Sequence, residues 1–229
     1  MKICVPIKEK TQKEAEERLL RASGKADLAE VWLDAIKEPD LKKLITRAPL
    51  PILVACKRKQ EKGSFTASYQ AQATLLSAAI DAGAAYVDLP LFMPERVNKK
   101  IVQHARRKGT KVIISHHDFK GTPDFSRLTK LADKMKGCGA DIIKIATQAR
   151  TLDDTVRIIA LAKHLEGLKI RHILIAMGQK GMLSRILSPT LGGEMMFAVL
   201  DQKKKTAPGQ LSITDLRSAW SALKLTANR

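Results

Sequence analysis

The sequence predicts a (β/α)8 barrel, and three observations predict it. Short runs rich in Val, Ile and Leu recur eight times along the chain. Amphipathic helical patterns separate most of these runs, and several stop at glycine, as helix C-termini tend to. No Gly-rich phosphate fingerprint follows the first run, where "PIKEKTQ" stands instead, so an open doubly wound sheet fits less well. Near-continuous apolar strands separated by helices form parallel sheets covered on both faces, and eight such units make a barrel.

Taken in order, the first strand is "KICVPI", followed by the charged amphipathic stretch "KEKTQKEAEERLL". The second and third are "LAEVWLD" and "PILVAC", and "SYQAQATLLSAAIDAGA" then reads as a helix leading to the fourth, "AYVDLPL". "PERVNKKIVQHARRKG" is a helix before the fifth strand, "KVIISHH", and "FSRLTKLADKMKGCGA" is one before the sixth, "DIIKIAT". "LDDTVRIIALAKHLEG" leads to the seventh, "HILIAMG", and "GEMMFAVL" is the eighth. No low-complexity linker interrupts the series, so residues 1–229 are expected to form one compact domain. "KKKTAPGQ", 203–210, is the most loop-like segment.

Composition narrows the function classes. The N-terminus lacks the apolar core and cleavage site of a signal peptide, and no run reaches the roughly 18 apolar residues of a membrane span, so a cytoplasmic, non-membrane protein is expected. Cys4, Cys56 and Cys138 are odd in number, widely spaced and without a CxxC pair. That argues against a disulfide framework or a structural zinc, and for small buried hydrophobes. The net charge of +18 attracts nucleic acid, anionic membranes and acidic small molecules alike. The basic residues are scattered and aromatics are only 4%, which leaves little surface for base stacking, so no specific nucleic-acid partner is expected.

In a barrel, chemistry sits at the C-terminal ends of the strands. The polar residues there are Glu30 and Asp34, Lys57 to Glu61, His116 to Asp118, Lys144, and Gly178 to Arg185. Lys144 lies between Ile143 and Ile145, an odd place for an ammonium group. Burial favours the neutral amine that attacks a ketone to form a Schiff base, although a lysine at a strand end also snorkels to solvent or pairs with a carboxylate. Adjacent histidines in a strand point to opposite faces, so one of His116 and His117 can look into a site and carry protons. His117 is the candidate, and an ordinary satisfied polar residue is the alternative. No Cys, His or carboxylate cluster has metal-ligand spacing, and no metal is expected.

The motifs "SHHDF" followed by "TP", then "ADIIKIA", "AMGQKGMLSR" and "TAPGQLS", resemble type I 3-dehydroquinate dehydratase in order and spacing. The resemblance runs from "KICVPI" to "DLRSAWSAL". It implies dehydration of 3-dehydroquinate to 3-dehydroshikimate through a lysine imine, with no cofactor, and a homodimer. Position by position, it makes Lys144 the imine-forming lysine and His117 the general acid and base, with Glu61 orienting the histidine. It makes Arg185 the clamp on the substrate carboxylate, for which a planar fork is suited. Glu30 and Lys57 would read the substrate's polar groups, and Thr206 and Gln210 would lie on a loop that closes over it. A plain turn on Pro208 and Gly209 is the alternative for that loop.

Four positions depart from the pattern: Trp32 and Lys57 replace arginines, "EGG" has become "EKG", and Pro90 stands where a glutamate is frequent. Lysine keeps the charge at 57 without the bidentate fork, and Trp32 removes a charge. Two other functions therefore stay open. One is a Schiff-base lyase or aldolase-like barrel enzyme acting on a related hydroxylated keto acid. The other is a basic, non-catalytic binding protein on the same barrel.

Overall fold

A computed structural model describes residues 1–225. All eight runs become strands: β1 (Lys2–Ile7), β2 (Leu28–Trp32), β3 (Ile52–Ala55), β4 (Tyr86–Pro90), β5 (Lys111–Asp118), β6 (Ile142–Gln148), β7 (His172–Met177) and β8 (Met195–Phe197). Helices α1 (Gln12–Ala22), α2 (Leu41–Thr46), α3 (Tyr69–Asp81), α4 (Glu95–Lys108), α5 (Phe125–Gly137), α6 (Leu152–Gly167) and α7 (Met182–Leu187) fall between them, and α8 (Ile213–Ala222) follows β8. The strands form one sheet in the order β7-β6-β5-β4-β3-β2-β1-β8. Sequential order with β8 beside β1 is the topology of a (β/α)8 barrel. No helix of the described residues is long and apolar enough to cross a membrane.

The chain divides into two compact units. The first comprises Cys4–Ile114 with Cys138–Asp141. In it β1, β2, β3 and β4 pair in parallel, with Glu30 beside Leu53 and Tyr86 next to that, and Trp32, Ala55 and Asp88 at the level two residues on. Parallel neighbours share a face and residues two apart along a strand share it too, so Glu30, Trp32 and Asp88 are placed together by register alone. Thr11 and Glu14 form a capping box at the start of α1, and Ser68 caps α3, each such cap being worth about 1 kcal/mol. α4 turns Asn98, Ile101, Val102 and Ala105 inward and ends on Gly109 in the left-handed conformation.

The second unit comprises Met1–Ile3, Ser115–Gly137 and the described part of Ile142–Arg229. Its centre is the parallel pair β6 and β7, which puts Lys144 beside Ile173. α6 begins with a second capping box, Thr151 with Asp154. Its end differs from the simple glycine stop the sequence suggests. Gly167 stays in the last helical turn, and the left-handed residue is Lys169, with φ 56°.

Candidate active site

In the first unit, a buried group of charges gathers at the C-terminal ends of β2, β3 and β4. Lys57, 3% exposed, donates to Asp88 at 2.8 Å and to Glu61 at 3.4 Å. Burial disfavours the ammonium, but the negative charges of Asp88, Glu61 and Glu30 outweigh that, and the lysine's pKa is held above its ordinary range. The cation at position 57 is thus committed to protein carboxylates. Glu30, also buried, accepts at 2.8 Å from the indole N–H of Trp32. Among the described residues no three His, Cys, Asp or Glu side chains are grouped as metal ligands would be.

The turn that carries Glu61 is built by its neighbours. Asp34 accepts from the backbone N–H of Lys57 at 2.8 Å and from that of Ser64 at 2.9 Å, a structural role. Glu61 ends a short 3-10 helix, Lys59–Glu61, and Lys62 follows at φ 62°. Glycine enters that region freely, whereas lysine there costs about 1 kcal/mol, which is the consequence of "EKG" in place of "EGG". The glycine retained, Gly63, is the one with no room: a Cβ there would overlap the Lys57 carbonyl. Gly63→Ala is expected to destabilise the chain by roughly 1–3 kcal/mol, as an overpacked core does, measured by urea unfolding.

In the second unit, Lys144 is 4% exposed, and its Nζ lies 4.3 Å from the ring centroid of Phe197 at the end of β8. The lysine therefore does not snorkel to solvent. His116 and His117 are both half-buried. His117 stacks on Phe119, just past the end of β5, with centroids 6.1 Å apart and planes 8° from parallel, and His116, its neighbour within the strand, leaves the opposite face. The loop beyond is fixed by its own polar groups. Asp118 accepts from the N–H groups of Lys120 and Gly121, and Thr122 shares a hydrogen bond of 2.8 Å with Thr147 and donates to the Gln148 carbonyl. That accounts for the threonine of "TP".

Arg185, on α7, is 1% exposed. Ser184 ties α7 to β7, accepting from the Ala176 N–H at 3.0 Å and donating to the Gly181 carbonyl at 2.7 Å. The guanidinium donates weakly, to Met196 Sδ at 3.8 Å and to the Pro208 carbonyl at 3.4 Å. No carboxylate among the described residues pairs with it. Burial lowers its pKa to about 10, which still leaves it charged at neutral pH. A buried cation without an internal counter-ion is a ready receptor for an anion.

The loop after β8 docks beside it. Gly178 donates its N–H to Pro208 at 3.1 Å, and Gly209, at φ 72°, packs so close to Gly178 that a Cβ would overlap the Gly178 carbonyl. Gln210, 2% exposed, accepts from the Thr206 N–H at 2.9 Å and from its hydroxyl at 3.3 Å. The "TAPGQ" segment is therefore a turn closed on itself as well as a neighbour of Arg185.

Of the residues singled out in the sequence, the structure brings Glu30, Lys57 and Glu61 together in one unit and Arg185, Thr206 and Gln210 around one loop in the other. Asp88 was missed. Its signal was a lone acid inside the apolar run "AYVDLPL", where only Pro90 drew notice as a departure. Cys56, beside Lys57, has its thiol pushed well above the ordinary range by burial and then by Asp34, so it is a packing residue and not a thiolate nucleophile.

Fold and side chains together define a (β/α)8-barrel protein with a buried lysine on a strand and a buried arginine that no carboxylate among the described residues pairs with. A model of the type I 3-dehydroquinase family matches residues 3–227. The 3-dehydroquinate dehydratase of Desulfotalea psychrophila is 34% identical over 220 residues, covering 96% of this chain and 97% of its own length. That of Methanocaldococcus jannaschii is 32% identical over 225 residues, covering 97% and 99%. The solved type I 3-dehydroquinate dehydratase of Clostridium difficile superposes with a TM-score of 0.87 at 27% identity, covering 97% of this chain and 91% of that one. The chain belongs to the type I 3-dehydroquinase family.

Proposed function

We propose that this chain dehydrates 3-dehydroquinate to 3-dehydroshikimate through a Schiff base on Lys144. The single observation that carries the reading, beside family membership, is Arg185: a guanidinium 1% exposed with no carboxylate partner among the described residues. It pairs with the substrate carboxylate, and the docked "TAPGQ" turn, with Thr206 and Gln210, lies next to that pair. The Lys144 amine attacks the ketone and water leaves, giving an iminium that acidifies the neighbouring C–H. His117 takes that proton and then protonates the departing hydroxyl; hydrolysis of the imine releases the enone and restores the amine. Glu30 receives substrate hydroxyls. Lys57 acts there by holding Asp88 and Glu61 in place, and Glu61 is assigned to the histidine by the family resemblance.

Within this reading the enzyme is a cytoplasmic homodimer that needs no metal or external cofactor; the three free cysteines suit a reducing compartment. The test is incubation with 3-dehydroquinate, followed by the ultraviolet absorbance of the conjugated enone. Absorbance should rise with the wild-type chain, and Arg185→Met should raise KM about a hundredfold, the size expected when one partner of a charged, buried pair is lost. A chain that binds 3-dehydroquinate without producing the enone would point to the binding-protein reading.

A further inference from the structure

Trp32 was expected only to remove a charge. Its geometry assigns it more. Glu30 and Trp32 are two residues apart on β2, so both side chains leave the same face, and both are buried, at 3% and 6% exposure. The indole N–H donates to Glu30 Oε2 at 2.8 Å, a well-formed hydrogen bond. An indole has one donor and no acceptor, on a rigid ring set by two torsions, so this bond fixes a single carboxylate orientation.

The ring is itself held. Lys8 Nζ lies 4.6 Å from its centroid, and the same ammonium donates to the Lys62 carbonyl at 2.8 Å. That carbonyl belongs to the left-handed residue next to Glu61. Lys8 therefore links the end of β1 to the turn of "EKG" and lies over the indole on the way. Meanwhile Lys57 is engaged by Asp88 and Glu61, and the indole's hydrogen bond to Glu30 brings no charge of its own.

We infer that Trp32 is a positioning residue: held by Lys8, it fixes the Glu30 carboxylate in the orientation that receives substrate hydroxyls. The inference rests on the proposed role of Glu30. A substrate with hydroxyls at that place is favoured, because a carboxylate held in one orientation accepts from them without first reorienting.

The experiment is initial-rate kinetics with 3-dehydroquinate on Trp32→Phe, Glu30→Ala and the double variant, each checked for folding by circular dichroism. Trp32→Phe keeps an aromatic ring and loses the N–H, and should raise KM about tenfold with kcat changed less than about twofold, the pattern of a lost binding contact. Glu30→Ala should raise KM further, and Trp32→Phe should add nothing in that background, because nothing is left to position. Lys8→Met, on an exposed side chain, keeps the question open to test if Trp32→Phe fails to fold; it should raise KM roughly two- to fivefold by freeing the ring. Unchanged KM in Trp32→Phe, or in Lys8→Met where that stands in for it, while Glu30→Ala raises KM, overturns the positioning role alone. So do losses that simply add in the double variant. An unchanged KM in Glu30→Ala overturns the binding role of Glu30 itself and the inference with it.

Discussion

Lys144→Ala is expected to abolish turnover, by roughly 10⁴-fold or more, since the residue is the nucleophile of a covalent route and the other groups act on the intermediate it forms. That loss corresponds to ~5 kcal/mol of transition-state stabilisation. The check is borohydride added with 3-dehydroquinate: reduction of the imine leaves a stable secondary amine, and peptide mass spectrometry should place it on Lys144 in the wild-type chain and nowhere in the variant. An adduct on another lysine, or undiminished turnover in Lys144→Ala, would end the imine mechanism for this chain. The position of the amine makes the prediction specific. It is buried against Phe197 on a central strand of its unit, whereas lysines at the surface are solvated.

The strands were legible because parallel strands buried on both faces read as unbroken apolar runs, and all eight runs became strands with ends displaced by at most three residues. The long helices were legible for the same reason of pattern. α2 and α7, at six residues each, were not, since a six-residue helix makes fewer than two turns and leaves no periodicity to read. α7 is nevertheless the element that carries Arg185, whose place came from the resemblance.

The charged group of the first unit shows where sequence reading stops. Lys57 looked like a weakened substrate ligand, a cation short of a bidentate fork. In the structure it is a bridge between Asp88 and Glu61, and that pairing depends on the register of β3 against β4, which brings Ala55 level with Asp88 and so aims Lys57, two residues on, at the same acid. Trp32 looked like a loss for a similar reason: substitution at a single position reveals which charge has gone, and the hydrogen bond that replaces it appears only when the neighbouring carboxylate is in place. Removing either partner of Lys57 strands a buried charge, so this group resists change even though none of it is proposed to touch the reacting carbons.

The second large effect distinguishes the two histidines. His117→Ala should lose about 10² to 10⁴ in kcat, the range of general acid–base catalysis, and His116→Ala should keep most of the rate. Burial does not separate them, for both are half-buried. Alternation does: His116 and His117 are neighbours within β5, so their side chains leave opposite faces, and His117 is the one that stacks on Phe119 just beyond the strand end. In His117→Ala the amine of Lys144 and the Arg185 clamp remain, so borohydride should still trap substrate on Lys144, more slowly, while the enone fails to accumulate. Trapping without turnover is the signature of a missing proton carrier, and it separates that loss from a collapsed site, which would give neither. Equal losses from the two substitutions would mean that the proton passes through neither face selectively, and the assignment of His117 as acid and base would have to be given up.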